Sequence, residues 1–356
     1  MTLLDSIYLK TEALRIPLYV QLELTQRCNE NCIHCYIKGA RDKLSFSRDD
    51  KELTLVQIAR LLDELVEEGA LNLTFTGGEA MLREDFFDIA NAAKKRNFTI
   101  TIFSNGQLID IDAANRLREL MPVCVYFSVY GWDANTHDGV TRSPGSFRRL
   151  LNVVQLLKIR GIKIGFKTMV LKHNFHQIRK IFKLGKELGI ETHEFAEEIT
   201  AKIDGSCQPK FCQLDDYLMY EYYKGDIPST WEYIEDSSQE EALKKQLCGA
   251  GVFGVCVSSY GDVFPCVELR IPLGNVKYQS FKYIWHKEEG YLAELRSVKE
   301  YKDLVICRSC KLVNFCRRCP GRAFYDSGDW RDCYANAYQR ALLEKRINDE
   351  LVEEVR

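Results

Sequence analysis

Six apolar runs, each followed by an amphipathic stretch, recur between about residues 18 and 200 at spacings of roughly 25 to 40 residues. A strand–helix repeat of this period gives a parallel sheet with crossover helices. Strands are predicted at about 18–26, 71–76, 98–104, 123–129, 162–171 and 191–196. Helices are predicted at about 54–69, 85–96, 111–120, 146–160 and 174–188. Thr54 is a candidate N-cap for the first of them, and Val56, Ile58, Leu61, Leu62 and Leu65 supply one broad apolar face. Ser146 is read as the cap of the fourth helix and Asn174 as the start of the fifth. Six repeats make an open sheet or a partly closed barrel, and both put reactive loops at the C-terminal strand ends.

Five regions follow from this rhythm: a lead-in at 1–17, the repeat at 18–200, an acidic tyrosine-rich connector at 201–245, a cysteine-rich segment at 246–335 and a terminal helix at 336–356. Tyr217, Tyr220, Tyr222, Tyr223 and Tyr233 mark the connector, and Leu342, Leu343 and Ile347 are expected on one side of the last helix. The formal charge of −2 gives no electrostatic case for nucleic acid. No run approaches the roughly 20 apolar residues that span a bilayer. The start, from Met1 to Ser6, lacks the basic-then-apolar order of a signal peptide. Fourteen cysteines without a secretion signal point to metal ligands in a reducing cytoplasm rather than to disulfides.

The cysteines are not scattered. Cys28, Cys32 and Cys35 fall within eight residues, directly after the first strand. Thiolates suit soft metals and iron–sulfur clusters. A four-iron cube normally takes four cysteines, so three close ones leave an iron open for chemistry. A zinc site with a distant fourth ligand is the alternative. Gly77-Gly78-Glu79 ends the second strand, Ser104-Asn105-Gly106 the third, and Ser128 the fourth. The stretch from His137 and Asp138 through Arg142 to Phe147 is read as a loop. A second set comprises Cys248, Cys256, Cys266, Cys307, Cys310, Cys316, Cys319 and Cys333. Its two Cys-x2-Cys pairs are closer together than in the usual zinc ribbon. Cys124 is expected to be a core thiol, and Cys207 and Cys212 ordinary thiols.

The Cys28/Cys32/Cys35 loop, with His34 at the aromatic position, resembles the radical S-adenosylmethionine (radical SAM) superfamily. The second set resembles its SPASM extension, which houses auxiliary iron–sulfur clusters. The resemblance implies a partial (β/α)6 TIM-type barrel with a C-terminal SPASM domain. It implies three [4Fe-4S] clusters and S-adenosyl-L-methionine, whose reductive cleavage yields a 5′-deoxyadenosyl radical that takes hydrogen from substrate. Gly77, Gly78, Glu79, Ser104, Asn105, Ser128 and Arg142 would then contact the cofactor, with Arg142 facing its carboxylate. Cys248, Cys256, Cys266 and Cys319 would hold one auxiliary cluster, and Cys307, Cys310, Cys316 and Cys333 the other. The family spacing has three residues where this chain has only Arg317 and Arg318.

Relatives of this architecture mostly modify peptides or proteins. In the sulfatase-maturing group an aspartate directly follows the third auxiliary cysteine, whereas here Val267 follows Cys266 and Glu268 comes next. About 17 residues precede the first strand, too few for a leader-binding domain. The expected function is therefore a peptide maturase acting on a ribosomally made precursor. Its expected partners are a separate leader-binding chaperone and an electron donor such as flavodoxin or ferredoxin. A sulfatase-maturing type of Cys or Ser oxidation, a dehydrogenase or epimerase on a small molecule, and a non-catalytic zinc protein stay open. The catalytic base or hydrogen donor is not legible.

Overall fold

The computed structural model describes residues 9–40, 42–47, 49, 51–225 and 238–355, with side chains to residue 351. Part of the lead-in (residues 1–8) and of the connector (residues 226–237, with Tyr233) lies outside the described residues.

The six expected strands form: β1 (Tyr19–Thr25), β2 (Asn72–Gly77), β3 (Thr99–Ser104), β4 (Cys124–Ser128), β5 (Ile164–Met169) and β6 (Thr192–Ala196). They pair in sequence order and in parallel, with Leu22 opposite Phe75 and Phe75 opposite Ile102. Three further strands, β7 (Gly254–Val257), β8 (Asp262–Phe264) and β9 (Gly274–Asn275), continue the sheet on the other side of β1. β7 runs parallel to β1, with Leu22 opposite Val257, and β8 and β9 fold back antiparallel. The result is one mixed sheet in which six parallel strands form the barrel-like part and the C-terminal strands extend it. Strands this short carry too few residues to show a period, which is why the sequence reading missed them.

Flanked on both edges, β1 is buried on both faces. Val20, Leu22 and Leu24 point into the main core at 1% exposure each. Glu23 points to the opposite face at 0%, a costly place for a carboxylate unless paired. Arg270, four residues after Cys266, supplies the pair. It binds Glu23 at 2.8 and 3.1 Å and Asp42 at 2.5 and 2.6 Å, with its guanidinium 4.4 Å from the centre of the Phe264 ring.

The crossover helices are α1 (Leu55–Glu67), α2 (Phe86–Lys95), α3 (Ile111–Leu120), α4 (Ala134–Thr141), α5 (Ser146–Ile159) and α6 (Ile178–Glu187). Thr54 caps α1 in a capping box with Gln57. Ile58, Leu61, Leu62 and Leu65 are buried, but Val56 is 78% exposed and does not belong to that face. Helix α4 replaces the expected loop. Asp133 caps it by accepting from the Thr136 amide, a signal readable in advance. Ser146 is not a cap: Gly145, at φ +81°, holds that position, and the Ser146 hydroxyl donates to Asp138 instead. Asn174 closes a turn by accepting from the Leu171 amide, and a short 3₁₀ turn separates it from α6.

The connector contains α7 (Asp216–Tyr223), and the cysteine-rich segment contains α8 (Pro320–Ser327). The chain ends in α9 (Ala335–Val355). Ile347 is buried and Leu343 packs on the core, but Leu342 is 38% exposed. Adjacent helix positions point about 100° apart, so Leu342 and Leu343 cannot share a narrow face. Among the described residues no helix is long and apolar enough to cross a membrane.

Candidate active site

The loop after β1 carries Cys28, Cys32 and Cys35, and two neighbouring turns hold it. The Asn31 and Ile33 amides donate to the Thr141 and Val140 carbonyls at the end of α4. The Gly78 and Glu79 amides donate to the Thr25 and Arg27 carbonyls, both at 2.8 Å. The sulfurs also receive amides, Cys28 from Glu30 at 3.4 Å and Cys35 from Lys38 at 3.3 Å. Burial pushes the Cys28 thiol up to about 11, and it raises Cys32 further, with Glu30 and the other two cysteines adding to it. A cation or cluster must offset that cost before Cys28 and Cys32 can act as thiolates. Three thiols at one strand end, two of them accepting amide hydrogens, fit an iron–sulfur cluster as donor set. His34 packs edge-on against Tyr130 at 4.8 Å, and burial lowers its pKa to about 4, so the ring is neutral.

Gly77-Gly78-Glu79 lies against this loop, but the glycines serve the chain itself. A Cβ on Gly77 would stand 2.2 Å from the Thr25 carbonyl oxygen, at φ +125°. A Cβ on Gly78 would stand 2.2 Å from the Arg27 oxygen and 2.8 Å from the Gln26 oxygen. Backbone atoms cannot yield as a side chain would, so Gly78→Ala displaces the start of the cysteine loop. The expected cost is about 1–3 kcal/mol. Denaturant unfolding should show it, with iron uptake at Cys28, Cys32 and Cys35 lowered and the second set unaffected.

Glu79 was expected to face the cofactor amino group. It is fully buried and already accepts from the Ser104 hydroxyl (3.0 and 3.1 Å), the Asn105 amide (2.7 Å) and the Met81 amide (3.2 Å). Burial raises its pKa, and those bonds oppose the rise. Glu79 therefore fastens the ends of β2 and β3 together, and Ser104 belongs to the same fastening. Asn105 reaches the cysteine loop: its amide nitrogen lies 2.7 Å from Asn29 Oδ1 and 3.8 Å from Cys28 Sγ. Ser128 lies against the Tyr130 phenol. Arg142 ends α4 in the left-handed region at φ 52° and lies near Cys212.

The second cysteine set divides by neighbourhood. Burial raises Cys266 first, followed by Cys248 and Cys319. Cys256, buried on β7, feels Glu23, Arg270 and Cys266. Separately, Cys316 is pushed up to about 12 by burial, with Cys307 and Cys333 adding to it, and Cys310 neighbours both Cys307 and Cys333. Cys124 and Cys212 are buried, and Cys207 is exposed. Among the described residues no group of three or more His, Cys, Asp or Glu side chains converges on a single metal ion, so the fit to a cluster rests on donor type and placement.

Two residues that sequence reasoning passed over, Arg83 and Tyr36, and one that it read only as part of a loop, Asp138, connect these parts. Arg83, 8% exposed, donates to the Leu24 and Leu53 carbonyls and so fixes the end of β1. Asp138 accepts from Gly145, Ser146 and Phe147 and shapes the turn after α4. Tyr36, next to Cys35, feels the charges of Glu23 and Arg270 and, more weakly, of Cys256 and Glu268. Asp42, after the first cysteine loop, is bonded to Arg270, after Cys266, and Cys256 on β7 lies opposite Gln21 on β1, so the two cysteine regions flank the same part of the sheet.

Comparison with known proteins agrees with that geometry. Residues 22–185 match the family described as the radical SAM superfamily, and residues 248–320 match SPASM, an iron–sulfur cluster-binding domain. An AdoMet-dependent heme synthase of Methanosarcina barkeri is 29% identical over 88% of this chain and 94% of its own. The mycofactocin maturase MftC of Mycobacterium tuberculosis is 24% identical over 93% of this chain and 86% of its own. The fold resembles Streptococcus suis SuiB, solved with its precursor peptide SuiA, at a TM-score of 0.62 and 17% identity over 90% of this chain and 76% of that one.

Proposed function

Because this chain is a radical SAM enzyme with a C-terminal SPASM domain, we propose that it matures a ribosomally synthesised precursor peptide by abstracting hydrogen from it. The observation that carries the reading is the joining of the two cysteine regions, where Asp42 after the first loop is bonded to Arg270 after Cys266 and Cys256 on β7 lies opposite Gln21 on β1. In this reading Cys28, Cys32 and Cys35 hold a [4Fe-4S] cluster with one open iron. Cys248, Cys256, Cys266 and Cys319 hold one auxiliary cluster, and Cys307, Cys310, Cys316 and Cys333 the other. When bound, the first cluster and S-adenosyl-L-methionine supply a primary carbon radical that removes a substrate hydrogen.

The chain's own residues prepare the place. Glu79 holds β2 and β3 at a fixed separation, and Asn105 presents its amide beside Cys28. His34, inside the loop, packs edge-on against the buried Tyr130 ring and so covers one side of the loop. The sheet ends at β6 on one side and β9 on the other without closing, which suits a chain-like substrate entering between the edges. The SuiB–SuiA complex and the MftC resemblance support the peptide class. A leader-binding chaperone and a flavodoxin or ferredoxin complete the reading, in a cytoplasm that keeps the thiols reduced.

A second reading has its own support. The heme synthase resemblance is higher in identity and covers nearly all of that protein, so a tetrapyrrole is the competing substrate. The deciding experiment uses anaerobically reconstituted enzyme, S-adenosyl-L-methionine and a one-electron reductant, with either the peptide encoded beside the gene or a heme-precursor porphyrin. The proposal expects 5′-deoxyadenosine together with a changed peptide mass, or deuterium uptake from solvent if the change is an epimerisation. An altered porphyrin with an untouched peptide would move the assignment to the second reading.

A further inference from the structure

A charged network lies where the end of β6 meets the C-terminal cysteine segment. Glu197 and Glu198 directly follow β6 and are 5% and 3% exposed. Arg340 on α9 donates to Glu198 at 2.7 Å, to Glu197 at 2.6 Å and to the Tyr223 hydroxyl at 2.9 Å. Arg322 on α8, three residues past Cys319, pairs with the Glu198 carboxylate and donates to its backbone carbonyl at 3.0 Å. The Tyr334 hydroxyl is placed to donate to Glu198 at 3.4 Å and accepts the Cys319 amide at 3.3 Å. Tyr334 also follows Cys333, whose sulfur lies 3.8 Å from the Tyr334 carbonyl oxygen. One tyrosine therefore touches both groups of auxiliary cysteines, and one carboxylate anchors it.

The two glutamates differ in a useful way. Both are buried, and both pair with Arg340. Only Glu198 is joined to Arg322 and, through Tyr334, to the Cys319 backbone; Glu197 meets Tyr223 on α7 instead. An iron–sulfur centre responds to nearby charge and to the hydrogen bonds at its ligands. A fixed negative charge opposes the extra electron of the reduced state. A Cys319 amide held by Tyr334 is also withheld from the sulfurs of a bound cluster.

We propose that Glu198, acting through Tyr334 and Arg322, is a positioning residue that lowers the reduction potential of the auxiliary centre held by Cys319. This rests on the reading that Cys319 ligates an iron–sulfur cluster. The electron exchanged stays on the centre, and no bond forms or breaks in the network.

The test is an anaerobic redox titration of the reconstituted full chain, followed by electron paramagnetic resonance. Glu198→Gln removes the charge and keeps the shape. It should shift one auxiliary midpoint to higher potential and leave the Cys28/Cys32/Cys35 centre unmoved. Glu197→Gln breaks a comparable buried pair and should leave the auxiliary midpoint in place, which separates tuning from mere loss of stability. Tyr334→Phe keeps both Glu–Arg pairs and frees the Cys319 amide, and it should shift the same midpoint upward. Full iron content with unmoved midpoints in Glu198→Gln and Tyr334→Phe overturns the assignment alone, as does an equal shift in Glu197→Gln. A wild-type chain that takes up zinc and no iron overturns both this and the reading beneath it.

Discussion

Replacing Cys28, Cys32 and Cys35 together by alanine is expected to abolish 5′-deoxyadenosine formation, down to the level of enzyme-free controls. On the proposed set of three four-iron clusters, the same variant should lose about one third of the iron bound by the wild type. The second cysteine set should keep its share, because it lies on β7 and the C-terminal segment and not on the loop after β1. Metal analysis and product chromatography on one preparation read both outcomes. A variant that still cleaves S-adenosyl-L-methionine would remove the loop from the chemistry altogether. The physical basis is that the loop has no other means of bearing three thiolates. Burial raises Cys28 and Cys32, and the neighbouring Glu30 works in the same direction through its charge. Only a positive centre makes thiolates stable there.

The second large effect concerns stability. Arg270 is 2% exposed, and its partners Glu23 and Asp42 are 0% and 4% exposed at the side chain. Burial works against the guanidinium charge, yet the two carboxylates hold its pKa well above the ordinary arginine value. Arg270→Met keeps much of the volume and strands two carboxylates in the interior. Breaking a buried pair in this way costs about 3–5 kcal/mol. A domain has roughly 5–15 kcal/mol in all, so the variant should unfold at markedly lower denaturant. Arg270→Met combined with Glu23→Gln and Asp42→Asn removes all three charges and should recover part of the loss. If the single and triple variants unfold together, the network does not carry the coupling described here. The cluster sites should suffer too, because Asp42 follows the first cysteine loop, whereas Arg270 follows Cys266.

Most of the site was legible by residue type. Three cysteines at a strand end, a Gly-Gly-Glu turn and eight further cysteines each have a restricted chemistry, and local spacing reports it. What the residues do was less legible. Gly77, Gly78 and Glu79 were expected to contact the cofactor; the structure adds that the glycines admit the backbone of Thr25 and Arg27 and that Glu79 holds Ser104 and Asn105. These partners lie more than twenty residues away. Helix α4 was missed although Asp133 announced it, because His137 and Asp138 resembled a loop motif.

The sequence by itself determined the six strands and five of the six crossover helices, because side-chain periodicity and local caps act over a few residues. It also determined that the chain bears thiol sets suited to iron, because donor chemistry belongs to the residue. Only the tertiary structure decided that β7 joins β1, and that Glu23 and Asp42 share Arg270 across more than two hundred residues. It alone brought Cys256 opposite Gln21 and Glu198 beside Tyr334. Such pairings depend on which buried charges find one another once the sheet has formed. Burial makes an unpaired partner too costly to leave, and no local pattern in the chain records which partner that will be.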